Sequence, residues 1–214
     1  MSVPGGDPVK ENNDPRPLVV LVHGYLAHRV HLSLLSRRLQ ADDFETLNWG
    51  YPTFRRSLTV AADRLAATLE RLDTEQTTTP LHLVTHSMGG IVARAALDRF
   101  KPRRLHRWVM LAPPNRGSDV ARRLEPFVGG WSPPVRELSS GGTGLVHSLG
   151  MPMDVEVGVI AAGYDLLVHE ESTRPDVPHE HVTIPCMHSA LLIRRDAARQ
   201  IVSFLRTGRF LATV

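Results

Sequence analysis

A chain of 214 residues, 42% of them apolar and 22% charged, is long enough for one buried core and has the ordinary composition of a globular protein in water. Its 25 basic and 22 acidic residues leave a formal charge of +3, too small an excess to argue for a nucleic-acid partner, and the basic residues come in scattered pairs such as Arg37–Arg38 and Arg122–Arg123. The single cysteine, Cys186, excludes an internal disulfide. No apolar run approaches the ~18 residues of a membrane helix, so no stable membrane insertion is expected.

Residues 1–16, "MSVPGGDPVKENNDPR", are polar and rich in proline and glycine, the pattern of a disordered lead-in. They lack the basic and apolar blocks of a signal peptide, which makes a cytoplasmic location the default expectation. Residues 17–214 read as one domain. "PLVVLVHG" (17–24) is a continuous apolar run, as in a strand buried on both faces. Residues 31–43 carry leucines at helical spacing, and 44–52 form a second strand candidate. Residues 57–75 have apolar positions at 58, 61, 65, 69 and 72, a clear amphipathic helix. "PLHLVTH" (80–86) is a strand, and 88–100 is the helix after it.

A further strand is expected at 105–113. The pattern weakens over 117–150, where only "RGSDVARRLEPF" has helical character. Strands follow at 154–163 and 179–185, and a last helix at 189–205. Buried strands alternating with amphipathic helices predict an α/β fold: a mostly parallel sheet of about six strands with helices on both faces. In such sheets the chemistry collects at the carboxyl ends of the strands.

The sharpest local signal is "LVTHSMGGIVAR" (83–94). A nucleophile elbow has the form G-x-S-x-G between a strand and a helix. Here Ser87 and Gly89 match, and Thr85 stands in place of the first glycine. Small residues are needed because the backbone folds tightly and the serine is strained. The alternative is a serine that merely caps the helix. "HGY" (23–25), directly after the first strand, is placed to supply one oxyanion donor from the Tyr25 N–H, with the Met88 N–H as the second.

A serine nucleophile needs an imidazole base. Among 11 histidines, His188 lies after the last strand and before the last helix, in the chain order Ser…Asp…His. His86, next to Ser87, is expected to point elsewhere, and His179 and His181 read as a solvated strand edge rather than a metal pair. For the acid that orients the base, Asp165 follows the strand at 154–163. Asp119 and Asp176 are its rivals, while Asp154 precedes its strand and falls at the wrong edge.

With "VLVHGY", "LVTHSMGGIVAR", "LAPPNRGSDVA", "GYDLLV" and "HSALL" in view, the chain resembles the α/β-hydrolase superfamily from about residue 17 to 210. It is most similar to the small bacterial lipases and esterases, including relatives of the deacylase that trims GPI-anchor lipids. The resemblance implies Ser87 as nucleophile, Asp165 as acid, His188 as base, and oxyanion donors at Tyr25 and Met88. It also implies ester hydrolysis through an acyl-enzyme, with a small-molecule ester or lipid as substrate and no cofactor or metal. The same triad serves a thioesterase or an acyltransferase, and a non-catalytic binding protein on this fold is the distant alternative. The interval between the strands at 105–113 and 154–163 is short, so a minimal fold with little or no lid is expected. Leu26, Phe127, Trp131 and Leu166 are candidates for an apolar wall, and Ser118 for a structural role. Oligomeric state leaves no trace in the sequence.

Overall fold

The structure is a computed structural model and describes residues 16–75, 79–141 and 145–212. The expected lead-in falls almost wholly outside these residues. Six strands form one sheet: β1 (Leu18–Val22), β2 (Glu45–Trp49), β3 (Leu81–His86), β4 (Leu105–Leu111), β5 (Glu156–Ala162) and β6 (Glu180–Ile184). Their spatial order is β2-β1-β3-β4-β5-β6, and every pair is parallel. Parallel neighbours require crossovers, which α-helices supply. The helices are α1 (Ser33–Ala41), α2 (Leu58–Glu75), α3 (Met88–Leu97), α4 (Asp119–Val128), α5 (Pro133–Glu137), α6 (Glu170–Thr173) and α7 (Arg195–Thr207). Among the described residues no helix is long and apolar enough to cross a membrane.

Alternate side chains of each strand leave opposite faces of the sheet, and this period divides the core in two. Val20, Val22, Leu83, Trp108 and Val159 pack with α2 and α3. Val19, Leu21, Val84, Val109 and Ile160 pack with α1 and α7. The central strands β1 and β3 are buried along their whole length, which explains their unbroken apolar runs.

One helix was expected over 189–205, and the structure has two segments there. Residues His188–Leu192 form a 3-10 turn, and α7 starts only at Arg195. Arg194 between them is extended (φ −78°, ψ 141°), and its guanidinium binds Asp196 at the start of α7. Apolar spacing does not register such a break. The weak stretch after β4 resolves into α4 and α5. Ser118 caps α4 by accepting from the Ala121 N–H (3.2 Å) and donates its own hydroxyl to the Leu167 carbonyl (2.9 Å), which is a structural task. Glu137 of α5 receives the Leu58 N–H (2.8 Å) and the Ser57 hydroxyl (2.6 Å), satisfying the start of α2.

Under the β3–α3 corner sits Trp108, the largest fully buried side chain. Its indole N–H donates to the Thr85 hydroxyl at 2.9 Å. Thr85 is itself fully buried, and this bond gives a physical reason for a hydroxyl where an elbow usually has glycine. Thr85→Val keeps the volume and removes the acceptor. It is expected to cost about 1–3 kcal/mol, the penalty of an unsatisfied buried donor, read as a lower urea midpoint at unchanged slope.

Candidate active site

Ser87 occupies the one-residue turn between β3 and α3 with φ 53° and ψ −126°, a region that costs a non-glycine residue about 1–3 kcal/mol. Its N–H donates to the Leu111 carbonyl (2.8 Å) and its carbonyl accepts from Gly90 (2.9 Å), which lock the bend. The serine side chain makes no cap bond to the helix, so the capping alternative has no support. Ser87 is half-buried and remains reachable from solvent.

Two glycines make this packing feasible. A Cβ on Gly89 would come 2.6 Å from the Val22 carbonyl oxygen, so α3 approaches the end of β1 backbone to backbone. A Cβ on Gly24 would come 2.9 Å from the Ser87 Cβ. The turn after β1 therefore lies directly against the serine, and Leu26 within it also has a positive φ of 51°.

Below this turn, the His23 ring stacks on Tyr51 with centroids 4.6 Å apart. His23 Nδ1 lies 3.1 Å from the Gly24 carbonyl oxygen, and the Tyr51 N–H donates to His23 Nε2 at 3.4 Å. A carbonyl only accepts and an amide only donates, so the hydrogen sits on Nδ1 and the ring is neutral. Burial lowers the His23 pKa, in agreement with that assignment. The Tyr25 hydroxyl shares a 2.9 Å hydrogen bond with Ser132, which ties the turn to the start of α5. Neither the Tyr25 N–H nor the Met88 N–H has a hydrogen-bond partner among the described residues. Both flank Ser87.

Asp165 lies just beyond β5. Its Oδ1 accepts from the N–H groups of Leu167 (2.8 Å) and Val168 (3.0 Å), and its Oδ2 meets His188 Nδ1 at 2.6 Å. Burial alone would raise this carboxyl, but the His188 contact and the two amides hold it below the ordinary carboxylate range. The Asp165 side chain is 2% exposed and that of His188 10%. The rivals stand elsewhere. Asp119 binds Ser140 (2.7 Å) and Arg122 (3.4 Å), Asp176 binds Arg116 (3.0 Å), and Asp154 pairs with Lys101. No hydrogen bond joins the Ser87 hydroxyl to His188 among the described residues.

His86 corrects an expectation. It does not point away from the centre: its ring stands 4.8 Å from that of His188, and its Nε2 lies 3.4 Å from the His188 backbone oxygen. The strand's alternation gave its face, and only the fold of a loop one hundred residues later gave its neighbour. Leu26, Phe127, Trp131 and Leu166 are all exposed: Leu26 and Leu166 on the loops that follow β1 and β5, Phe127 within α4, and Trp131 between α4 and α5.

The model of the alpha/beta hydrolase family matches residues 19–199. A curated Mycoplasma pneumoniae protein that carries an esterase/lipase name is 33% identical over 101 residues, covering 44% of this chain and 36% of that protein. The chain thus spans about a third of the length of the curated relative it matches. The mature form of the Bacillus licheniformis lipase BlEst2 superposes with a TM-score of 0.70 at 15% identity, over 96% of this chain and 97% of that one. The type II thioesterase BorB of the borrelidin cluster gives 0.63 at 18% identity, over 89% and 91%. At such identities the two solved structures are similar in fold alone. The family match extends from the second residue of β1 into α7, and on that extent the chain belongs to the alpha/beta hydrolase family.

Proposed function

We propose that the chain is a serine hydrolase that cleaves carboxylic esters through an acyl-enzyme. The observation that carries this reading is the 2.6 Å Asp165–His188 pair at the same edge of the sheet as a half-buried serine in a strained turn. His188 Nε2 takes the proton from the Ser87 hydroxyl as its oxygen attacks the substrate carbonyl. Sites without substrate often hold this bond open until the complex forms. The carbonyl electrons move onto the oxygen, and the Tyr25 and Met88 N–H groups stabilise the oxyanion, each worth about 3–4 kcal/mol. When the intermediate collapses, His188 gives its proton to the leaving alcohol. Water then attacks the acyl-enzyme by the same route and frees the acid. Asp165 stays ionised and fixes the hydrogen on Nδ1.

No step in this scheme calls on a metal or cofactor. The exposed side chains of Leu26, Trp131 and Leu166 are the candidates for the wall against which the acyl group would lie. The likeness in fold to both a lipase and a thioesterase leaves the leaving atom as the finer question, and p-nitrophenyl esters from acetate to palmitate, run beside the matching thioesters, answer it.

A fluorophosphonate probe at neutral pH is expected to label the wild type one to one, and Ser87→Ala is expected to abolish both label and turnover; an unlabelled wild type would favour a binding protein. Asp165→Asn leaves the geometry and gives the wrong tautomer, so kcat should fall about 10³–10⁴-fold. A near-normal rate would return the role to Asp119. The acid limb of kcat/KM should follow one proton. Burial, then repulsion from His188, pushes His86 down to about 3, so it is neutral above that pH. Asp165, held below the usual carboxylate range, is already ionised there. Neither His86 nor Asp165 therefore takes up a proton near neutral pH, and neither adds a second proton to that limb. A limb of slope two would count against this assignment.

A further inference from the structure

The His86 ring is buried between the turn at Gly24 and the loop that bears His188. Its plane makes 54° with that of His188, and its Nε2 faces the His188 carbonyl oxygen at 3.4 Å. The carbonyl can only accept, so Nε2 carries the hydrogen. Nδ1 is then a bare lone pair. It is buried without a hydrogen-bond partner among the described residues, and a Cβ on Gly24 would come 3.1 Å from it. Protonation would place a hydrogen on this unpartnered atom and a second cation beside His188. Burial and then that repulsion lower the pKa to about 3, and the nearby Asp165 charge and the His188 carbonyl do not offset them. His86 is therefore a neutral ring held in one tautomer.

The sheet order gives this contact its consequence. β4 and β5 lie between β3 and β6, so no strand ladder joins the strand leading to Ser87 with the loop after β6. That loop is fastened on the β5 side: the Tyr164 N–H donates to the Cys186 carbonyl (3.0 Å), and Asp165 holds the His188 ring. Toward β3, the described hydrogen bonds offer one link between residues 81–90 and 185–192, the bond from His86 to the His188 carbonyl.

We propose that His86 is a positioning residue whose Nε2–H, bound to the backbone of His188, sets the approach of the base to the Ser87 hydroxyl. This rests on the reading of Ser87 as nucleophile and His188 as base. Without the strut, the Asp165–His188 pair and the substrate rim persist, but the base loses its register with the neighbouring serine. A misplacement of about 1 Å between reacting groups costs on the order of a hundredfold in rate.

Three variants separate the possibilities. His86→Phe keeps a ring and removes the N–H. His86→Gln can carry an amide N–H to the level of Nε2, whereas the shorter amide of His86→Asn ends near Nδ1. With p-nitrophenyl butyrate, His86→Phe and His86→Asn should lower kcat roughly 10–100-fold at unchanged KM, and should slow phosphonylation of Ser87 by the same factor. His86→Gln should restore much of both rates. The downfield proton NMR signal of the His188 Nδ1–H should survive in all three. The proposal is overturned if His86→Phe turns over like wild type, if glutamine loses as much as asparagine, or if the downfield signal vanishes along with activity. The last result would make His86 a support of the Asp165–His188 pair instead. Should His86→Phe fail to fold, the glutamine–asparagine comparison decides alone. A wild type without turnover or label overturns the hydrolase reading itself, and active wild type with an indifferent His86→Phe overturns only the strut.

Discussion

The structure depends on a backbone contact: the first turn of α3 pressed against the carbonyl ends of β1. The clearance is so small that a single methyl group on Gly89 would sit 2.6–2.7 Å from the Val22 and His23 oxygens. This closeness forces the chain to pass from β3 into α3 in one residue, and that residue is Ser87 with its positive φ. A serine has no intrinsic reason to adopt this conformation, and it persists because the surrounding packing over-determines it. The bonds from Ser87 to Leu111 and from Gly90 to Ser87, and the Trp108–Thr85 bond beneath, supply that over-determination. The same contact brings the turn after β1 alongside, and with it the Tyr25 N–H, which like that of Met88 has no hydrogen-bond partner among the described residues. Strain at the serine and the free donors beside it thus have a common origin.

The parallel sheet does the rest of the positioning. All six strands run one way, so every loop that follows a strand emerges at one edge. Ser87, Asp165 and His188 follow β3, β5 and β6, and Tyr25 follows β1. Residues spread over 164 positions of sequence thereby gather at one rim. Charges placed before their strands, such as Asp154, are carried to the opposite edge whatever their chemistry.

This explains which parts were legible in the sequence. Strand order along the chain, the corner at Ser87 and the choice of Asp165 over Asp154 follow from periodicity and polarity, because edge placement is a property of chain direction. Asp165 over Asp119 is different. Both follow strands, and only the path of the loop decides, with Asp119 drawn off by Ser140 and Arg122. Thr85 looked like a departure from the elbow pattern, since its indole partner lies 23 residues away on the next strand. The break at Arg194 and the inward placement of His86 were misread for a related reason. Both are fixed by contacts between segments, and a one-dimensional pattern carries none of these.

Three imidazoles meet at this rim, and an acid–base site works only if they are unequal. Burial makes them so. His23 and His86 are enclosed on all sides, and desolvation lowers both from the ordinary histidine value. Each has its tautomer set by a backbone carbonyl, His23 through Nδ1 and His86 through Nε2. Neither ring is hydrogen-bonded to a carboxylate among the described residues, and the Asp165 charge near His86 does not offset its burial. His188 differs in one respect that matters: its Nδ1 faces Asp165, so a proton gained on Nε2 creates a cation already paired. His86 can then act as a fixed, oriented dipole beside the ring that would change charge in the proposed reaction. An extra proton on His86 would place a like charge beside His188, the base of the proposed reaction. Their low basicity is therefore part of how the site would keep one proton-accepting group among eleven histidines.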